Sequence, residues 1–213
     1  MTVKLVVFDL DGTLVDTIDI HSEGWSFAVE LLGLARVDRS AFTSLIGLPG
    51  DAIVRAAIGS EGLKHYERIR WVKDKHFLKQ LASGRVSPFP DVLPCLNYLK
   101  KRGYAIGLAS SSPNYVLLPL LEKLELLEYF NYVVGGDEVV RGKPDPEIFV
   151  KIARKAGVEN CETVVVGDTV YDTAPAKAAG MKSVLVARNR IVKVASVSAD
   201  VVITTLKDLT SIL

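Results

Sequence analysis

Two aspartates separated by one residue, Asp9 and Asp11, follow the apolar run Val3–Phe8, and Gly12 and Thr13 come next. Alternate residues of a strand share a face, so both carboxylates aim at one point if the strand continues. If the chain turns before Asp11, that residue offers its backbone carbonyl instead. Like charges at a strand tip repel, and a metal ion or an anionic reaction intermediate would account for the pair. An Asp-Gly turn with incidental acids is the plain alternative for Asp11-Gly12 taken alone. Other polar residues with chemical potential also follow apolar runs or glycine. Ser110 closes Ile106-Gly-Leu-Ala109, Lys143 lies in Gly142-Lys-Pro-Asp-Pro-Glu147, and Asp168 and Asp172 lie in Gly167-Asp-Thr-Val-Tyr-Asp172.

The elements that must carry these residues fall into two blocks. Val3–Phe8, β-branched and apolar apart from Lys4, predicts a buried strand. From Thr17 to about Ala82 the periodicity is helical. Trp25, Val29, Leu31 and Leu32 mark a helix stopped by Gly33, shorter helices are expected at Ser40–Ile46 and Asp51–Ile58, and a longer one from about Gly62 to Leu81. Gly84 and Ser87-Pro-Phe-Pro90 mark the exit from this four-helix insertion. Helix and strand then alternate. Helices are expected at Val92–Lys101, Asn114–Lys123 (despite Pro119), Pro146–Ala156, Tyr171–Ala179 and Leu206–Leu213. Strands are expected at Tyr104–Ala109, Tyr132–Val134, Thr163–Val166, Ser183–Val186 and Val201–Ile203.

That alternation predicts an α/β fold, a doubly wound and mostly parallel sheet covered on both faces. In such sheets ligands bind outside the carboxyl ends of the strands, where strand order reverses. Asp9 and Asp11, Ser110, and Asp168 each follow a predicted strand, and Lys143 lies beyond Gly135-Gly-Asp-Glu138, which follows another.

Bulk composition narrows the function classes. The 213 residues suffice for a sizeable core, as one domain or a domain with an insertion. A net charge of +1 with no basic block argues against nucleic acid as a partner. No apolar run approaches a membrane span, and a strand beginning at residue 3 leaves no room for a signal peptide. Cys95 and Cys161 lack metal-ligand spacing and suit a reducing cytoplasm. The single glutamine, Gln80, hints at a thermophilic source.

Asp9-Leu-Asp-Gly-Thr-Leu-Val-Asp16 after an apolar strand resembles the first motif of the haloacid dehalogenase superfamily in its phosphatase form, since the dehalogenases lack the second acid. Ser110, Lys143, and Asp168 with Asp172 resemble the second, third and fourth motifs, in order. The resemblance implies a Rossmann-like core, residues 1–15 and 85–213, with strand order 3-2-1-4-5-6, and a mobile helical cap, residues 16–84. It implies Asp9 as nucleophile, Asp11 as general acid and base, and Mg²⁺ held by Asp9, Asp11 (through its carbonyl) and Asp168. Ser110 and Lys143 would hold the phosphoryl oxygens, with Gly12, Thr13, Ser111 and His21 as further substrate contacts. Asp172 is a secondary acid that either touches metal or instead caps its helix or pairs with Lys143. The expected activity is hydrolysis of a small phosphomonoester, with phosphoglycolate or a sugar phosphate as examples. A phosphomutase of the β-phosphoglucomutase kind is the alternative. Such mutases carry a histidine placed like His21, but also a cap-turn arginine where this chain has Gly50-Asp51, with Arg55 one turn beyond. A receiver-like phosphoaspartate module also uses strand-end acids, Mg²⁺, a hydroxyl and a lysine. It has no use for a second acid at Asp11 or for a large insertion. Whether the chain is a monomer or a homodimer is not written in these patterns.

Overall fold

The first apolar run forms β1 (Leu5–Phe8), whose four side chains are all buried. Its alternation divides them between two layers. Val6 and Phe8 enter a cluster with Leu96, Leu99, Val116 and Leu120, whereas Leu5 and Val7 pack with Phe149 and Ile152. Burial of each such side chain contributes about 1.5–3 kcal/mol, so a one-residue slip of β1 would forfeit both faces at once.

In this computed structural model, residues 2–188 and 199–213 are described. After β1 come helices α1 (Ile18–Leu31), α2 (Arg39–Thr43), α3 (Gly50–Leu63) and α4 (Tyr66–Ala82). The chain continues as α5 (Val92–Arg102), β2 (Ala105–Ala109), α6 (Asn114–Lys123), β3 (Tyr132–Val134) and α7 (Glu147–Ala156). It ends with β4 (Thr163–Gly167), α8 (Val170–Ala178), β5 (Lys182–Val186) and β6 (Val201–Ile203). The strands form one six-stranded sheet in the order β3-β2-β1-β4-β5-β6, and every pairing is parallel. The strand order reverses at β1, which lies between β2 and β4, as expected of the doubly wound fold.

Helices α1–α4 enclose a third cluster around Trp25, Phe42, Ile53 and Ile69. The separation is incomplete, because Ile20, Phe77 and Leu81 from α1 and α4 pack into the sheet's own core.

Three helical expectations need correction. The long helix expected from Gly62 begins at Tyr66, because a short helical stretch after the kink at Gly59 runs to Leu63 and a turn at Lys64–His65 intervenes. At Gly59, with φ +77° and ψ −173°, the backbone leaves helical geometry, so the helix expected over Asp51–Ile58 does stop there and α3 is two helical stretches joined across a kink. Helix α2 stops at Thr43 rather than Ile46, and Ile46 instead bridges to Leu48. The terminal helix is a 3₁₀ segment, Leu206–Ser211, whose buried Leu206 and Leu209 have the three-residue spacing that this tighter helix stacks on one side. Pro119 is accommodated inside α6.

Candidate active site

The chain turns immediately after β1. The Leu10 carbonyl accepts from the backbone N–H groups of Thr13, Leu14 and Val15 at 3.2, 2.9 and 3.0 Å. This turn sends the two neighbouring acids to different partners. Asp11 accepts from Thr17 Oγ1 at 2.6 Å and meets His21 Nε2 at 3.0 Å. Asp9 instead accepts from Lys143 Nζ at 2.6 Å.

Asp9 joins a buried group formed at two adjacent strand ends. Ligand oxygens of Asp9, Asp168 and Asp172 all lie within 4.8 Å of one another. Asp168 follows β4 and accepts from Thr13 Oγ1 at 3.1 Å. Asp172, in the first turn of α8, accepts from Lys143 at 2.7 Å and from Thr169 Oγ1 at 2.7 Å. The third Lys143 bond goes to the Ala109 carbonyl at 3.0 Å, at the end of β2. An ammonium has three N–H donors, so these contacts use all of them. Gly12, at φ +86°, passes so close that a Cβ there would lie 2.3 Å from Asp168 Oδ2.

Burial raises the Asp9 carboxyl well above the usual range; Lys143 offsets this in part, and the charges of Asp172, Asp168 and Asp11 add to the rise. For Asp11 burial acts the same way, but His21, Thr17 and Lys73 outweigh it and hold the group below its ordinary value. Burial would lower the Lys143 ammonium, yet Asp172 and Asp9 outweigh it and keep the lysine protonated. His21 is driven toward the neutral imidazole by burial and then by Lys73, with Asp11 opposing.

The remaining sequence candidates are distributed around this centre. Ser110 is fully buried and its Oγ accepts from the Ser112 N–H at 3.1 Å. Ser111 Oγ donates to the Gly47 carbonyl at 2.8 Å, tying the end of β2 to the turn before α3. His21 stacks on Phe77 with centroids 4.3 Å apart. Arg55 is exposed and stands outside the cavity above the acids. Asp172 shows both secondary contacts expected of it, with Lys143 and with its own helix terminus. Cys95 is buried, Cys161 is exposed, and both are free thiols.

The sequence reading missed the far wall of the cavity. It is built from Trp25, Tyr66, Arg70, Lys73 and Asp74, and the cavity has a volume of about 560 Å³. Lys73 and Asp74 are buried and paired at 3.0 Å, and Tyr115 of α6 donates its hydroxyl to the other Asp74 oxygen. The signal available in sequence was a Lys-Asp pair within a helix of weak apolar periodicity.

The carboxylate group suits a hard divalent cation. Three buried acids converge, two of them sharing one ammonium, all donors are oxygens, and Gly12 leaves the approach to Asp168 unobstructed. Asp9 is destabilised as an anion where it stands, and a cation would reverse that. The Asp11 carboxylate is engaged elsewhere, which leaves its main chain as its route to such an ion.

Residues 6–186 match the family model described as haloacid dehalogenase-like hydrolase. A phosphoglycolate phosphatase from Yersinia pseudotuberculosis is 32% identical over 182 residues, covering 84% of this chain and 78% of that protein. Among solved structures, a hydrolase from Pseudomonas syringae aligns with a TM-score of 0.85 at 23% identity, over 98% of this chain and 96% of that one. A β-phosphoglucomutase from Clostridium difficile aligns with a TM-score of 0.84 at 21% identity, over 98% and 93%. At these identities the two structures speak to the fold alone.

Proposed function

The chain belongs to the haloacid dehalogenase-like hydrolases, and on that premise we propose that it is a Mg²⁺-dependent phosphatase of small phosphomonoesters, working through a phosphorylated Asp9. The observation that carries the reading is the division of labour between Asp9 and Asp11. Asp9 sits among Lys143, Asp168 and Asp172, while Asp11 borders the same cavity with separate partners.

In the first step an Asp9 oxygen attacks phosphorus, the bond from phosphorus to the ester oxygen breaks, and Asp11 gives that oxygen a proton. In the second, water attacks the aspartyl-phosphate, Asp11 takes back a proton, and Asp9 is released with inorganic phosphate. Dividing the transfer in this way replaces one difficult displacement with two easier ones. Thr17 and His21 favour the carboxylate form of Asp11, and an arriving phosphate dianion favours the acid form. Mg²⁺ held by Asp9, Asp168 and the main chain of Asp11 would neutralise charge on the phosphoryl oxygens. Lys143 orients Asp9, and it and the Ser110 hydroxyl are the protein donors closest in kind to what those oxygens need. Gly12, Thr13 and Ser111 complete the phosphate side, and His21 the leaving-group side.

Residues 16–84 act as a cap on a core formed by 1–15 and 85–213. Two chain crossings join them, where Asp16 N–H donates to the Ser87 carbonyl at 3.2 Å and Val15 pairs with Pro88. Closure excludes water while Asp9 is being phosphorylated. Cap-turn Gly50 carries no arginine for a second phosphate, which favours a phosphatase over a mutase.

A phosphomonoester panel with Mg²⁺ tests this reading on the wild type, Asp9→Asn and Asp11→Asn. Wild type should release phosphate, chelator should abolish release, and only proteins retaining Asp9 should yield an acid-stable phosphoenzyme. Wild-type turnover by Asp9→Asn, or full activity in chelator, refutes the mechanism.

A further inference from the structure

The charges lining the cavity bear on what else the substrate carries. Among the described residues lining it, the permanent cations are Lys143, Lys73, Arg70 and Arg141, and each already faces a carboxylate. Lys143 is held by Asp9 and Asp172, and Lys73 by Asp74 at 3.0 Å. Arg70 is held by Glu67 and Arg141 by Asp145, each at 2.7 Å. Asp51 and Asp137 also face the cavity and add negative charge at its rim.

The deep pair is fixed from both sides. Asp74 takes Lys73 on one oxygen and the Tyr115 hydroxyl on the other, so its charge is spent inside the protein. Lys73 gives one ammonium hydrogen to Asp74 and lies 5.3 Å from the Trp25 ring centre, which leaves donors beside an aromatic plane. At Gly50 a Cβ would lie 2.7 Å from the Tyr66 hydroxyl and 3.1 Å from Trp25, so a side chain in the cap turn would have to push these ring tips aside. A wall of hydroxyl, ammonium and aromatic groups whose buried cation, Lys73, is neutralised by Asp74 suits hydroxyls and C–H faces. A second anion buried there would lack a partner, which is costly.

We infer that the leaving group is an uncharged, hydroxylated carbon body, making the substrate a sugar or polyol monophosphate rather than phosphoglycolate or a bisphosphate. This rests on the phosphatase reading above and narrows its substrate class. The 560 Å³ cavity is also roomier than a two-carbon acid requires.

The test compares kcat/KM, with Mg²⁺, for hexose, pentose and glycerol phosphates against phosphoglycolate, phosphoglycerate and a hexose bisphosphate, with p-nitrophenyl phosphate as a generic ester. The best neutral polyol phosphate should exceed every doubly anionic substrate by roughly tenfold or more. Asp74→Asn keeps a similar shape while releasing the Lys73 charge, and should raise the phosphoglycolate-to-sugar-phosphate ratio by about tenfold. A wild-type preference for phosphoglycolate, or an Asp74→Asn effect equal on both classes, overturns the inference while leaving the phosphatase reading intact. No turnover of any ester, p-nitrophenyl phosphate included, overturns both. The wild-type panel decides the question even if Asp74→Asn does not fold.

Discussion

Lys143 Nζ lies 2.6 Å from Asp9 Oδ1, and the lysine side chain is wholly shielded from solvent. The ammonium also holds Asp172, so one cation restrains two carboxylates brought together by β1 and α8. Replacing it leaves both acids buried without their counter-charge.

Lys143→Met should therefore damage stability and activity together. Loss of one member of a buried ion pair costs on the order of 3–5 kcal/mol, and loss of a cation at the reacting group lowers kcat by about a hundredfold to a thousandfold. Urea denaturation without metal and steady-state kinetics with Mg²⁺ measure the two effects. A variant with wild-type stability and merely a raised KM would place Lys143 outside the machinery.

Gly12→Ala isolates the approach to Asp168. Its left-handed φ of +86° costs a side chain about 1–2 kcal/mol, and its Cβ would meet Asp168 Oδ2 at 2.3 Å. The variant should bind Mg²⁺ at least roughly tenfold more weakly, in proportion to the displacement of that ligand. Titration calorimetry with Mg²⁺ alone reads this without turnover, and unchanged affinity would remove Asp168 from the proposed metal site.

Much of this arrangement was legible in the sequence, and for a physical reason. Strand ends in a parallel sheet are marked by an apolar run that stops at a polar residue, so Asp9, Ser110 and Asp168 could be placed without knowing any contact. The turn after β1 set the limit. Period-two reasoning allowed Asp9 and Asp11 to converge, and only the three N–H groups gathered on the Leu10 carbonyl decide that their carboxylates part. The far wall was illegible because its unit is tertiary. Lys73 and Asp74 read as two more charges on α4 until Tyr115, 41 positions away and on a different helix, closes the pair. The start of α4 was misplaced because a second short helical stretch follows the break at Gly59, and only the turn at Lys64–His65 separates it from Tyr66.

Ser111→Ala tests whether the bond to Gly47 matters for holding the inserted helices over the site. The hydroxyl donates to a backbone carbonyl at 2.8 Å, an interaction worth about 0.5–1.5 kcal/mol. If that bond is made only when the insertion is closed, its loss should raise KM by several-fold while leaving the melting temperature nearly unchanged. A fall in kcat of that size at constant KM would confine Ser111 to its place on the phosphate side and mean that its bond to Gly47 does not hold the insertion.

Asp91 supplies a prediction about acid stability away from the aspartate cluster. Its Oδ2 accepts from Arg188 Nη1 at 3.0 Å, Thr205 Oγ1 at 2.8 Å and the Leu206 N–H at 2.8 Å. Arg188 in turn donates from Nε and Nη2 to the Thr13 carbonyl at 3.1 and 2.9 Å, bracing the turn that carries Gly12 and Asp11. Burial works to raise the Asp91 carboxyl, but these donors, with the Arg188 charge, outweigh it and hold the group below its ordinary value. A carboxylate depressed on folding contributes stability that is fully present above its unfolded value, about 3.9, and is lost as pH falls through the folded value. Asp91→Asn should therefore lower stability near neutrality by about 1–3 kcal/mol, and the gap from wild type should shrink below about pH 4. Urea midpoints of the two proteins across that range check the sign, because a gap that widened on acidification would mean Asp91 is protonated more readily in the folded chain than in the unfolded one.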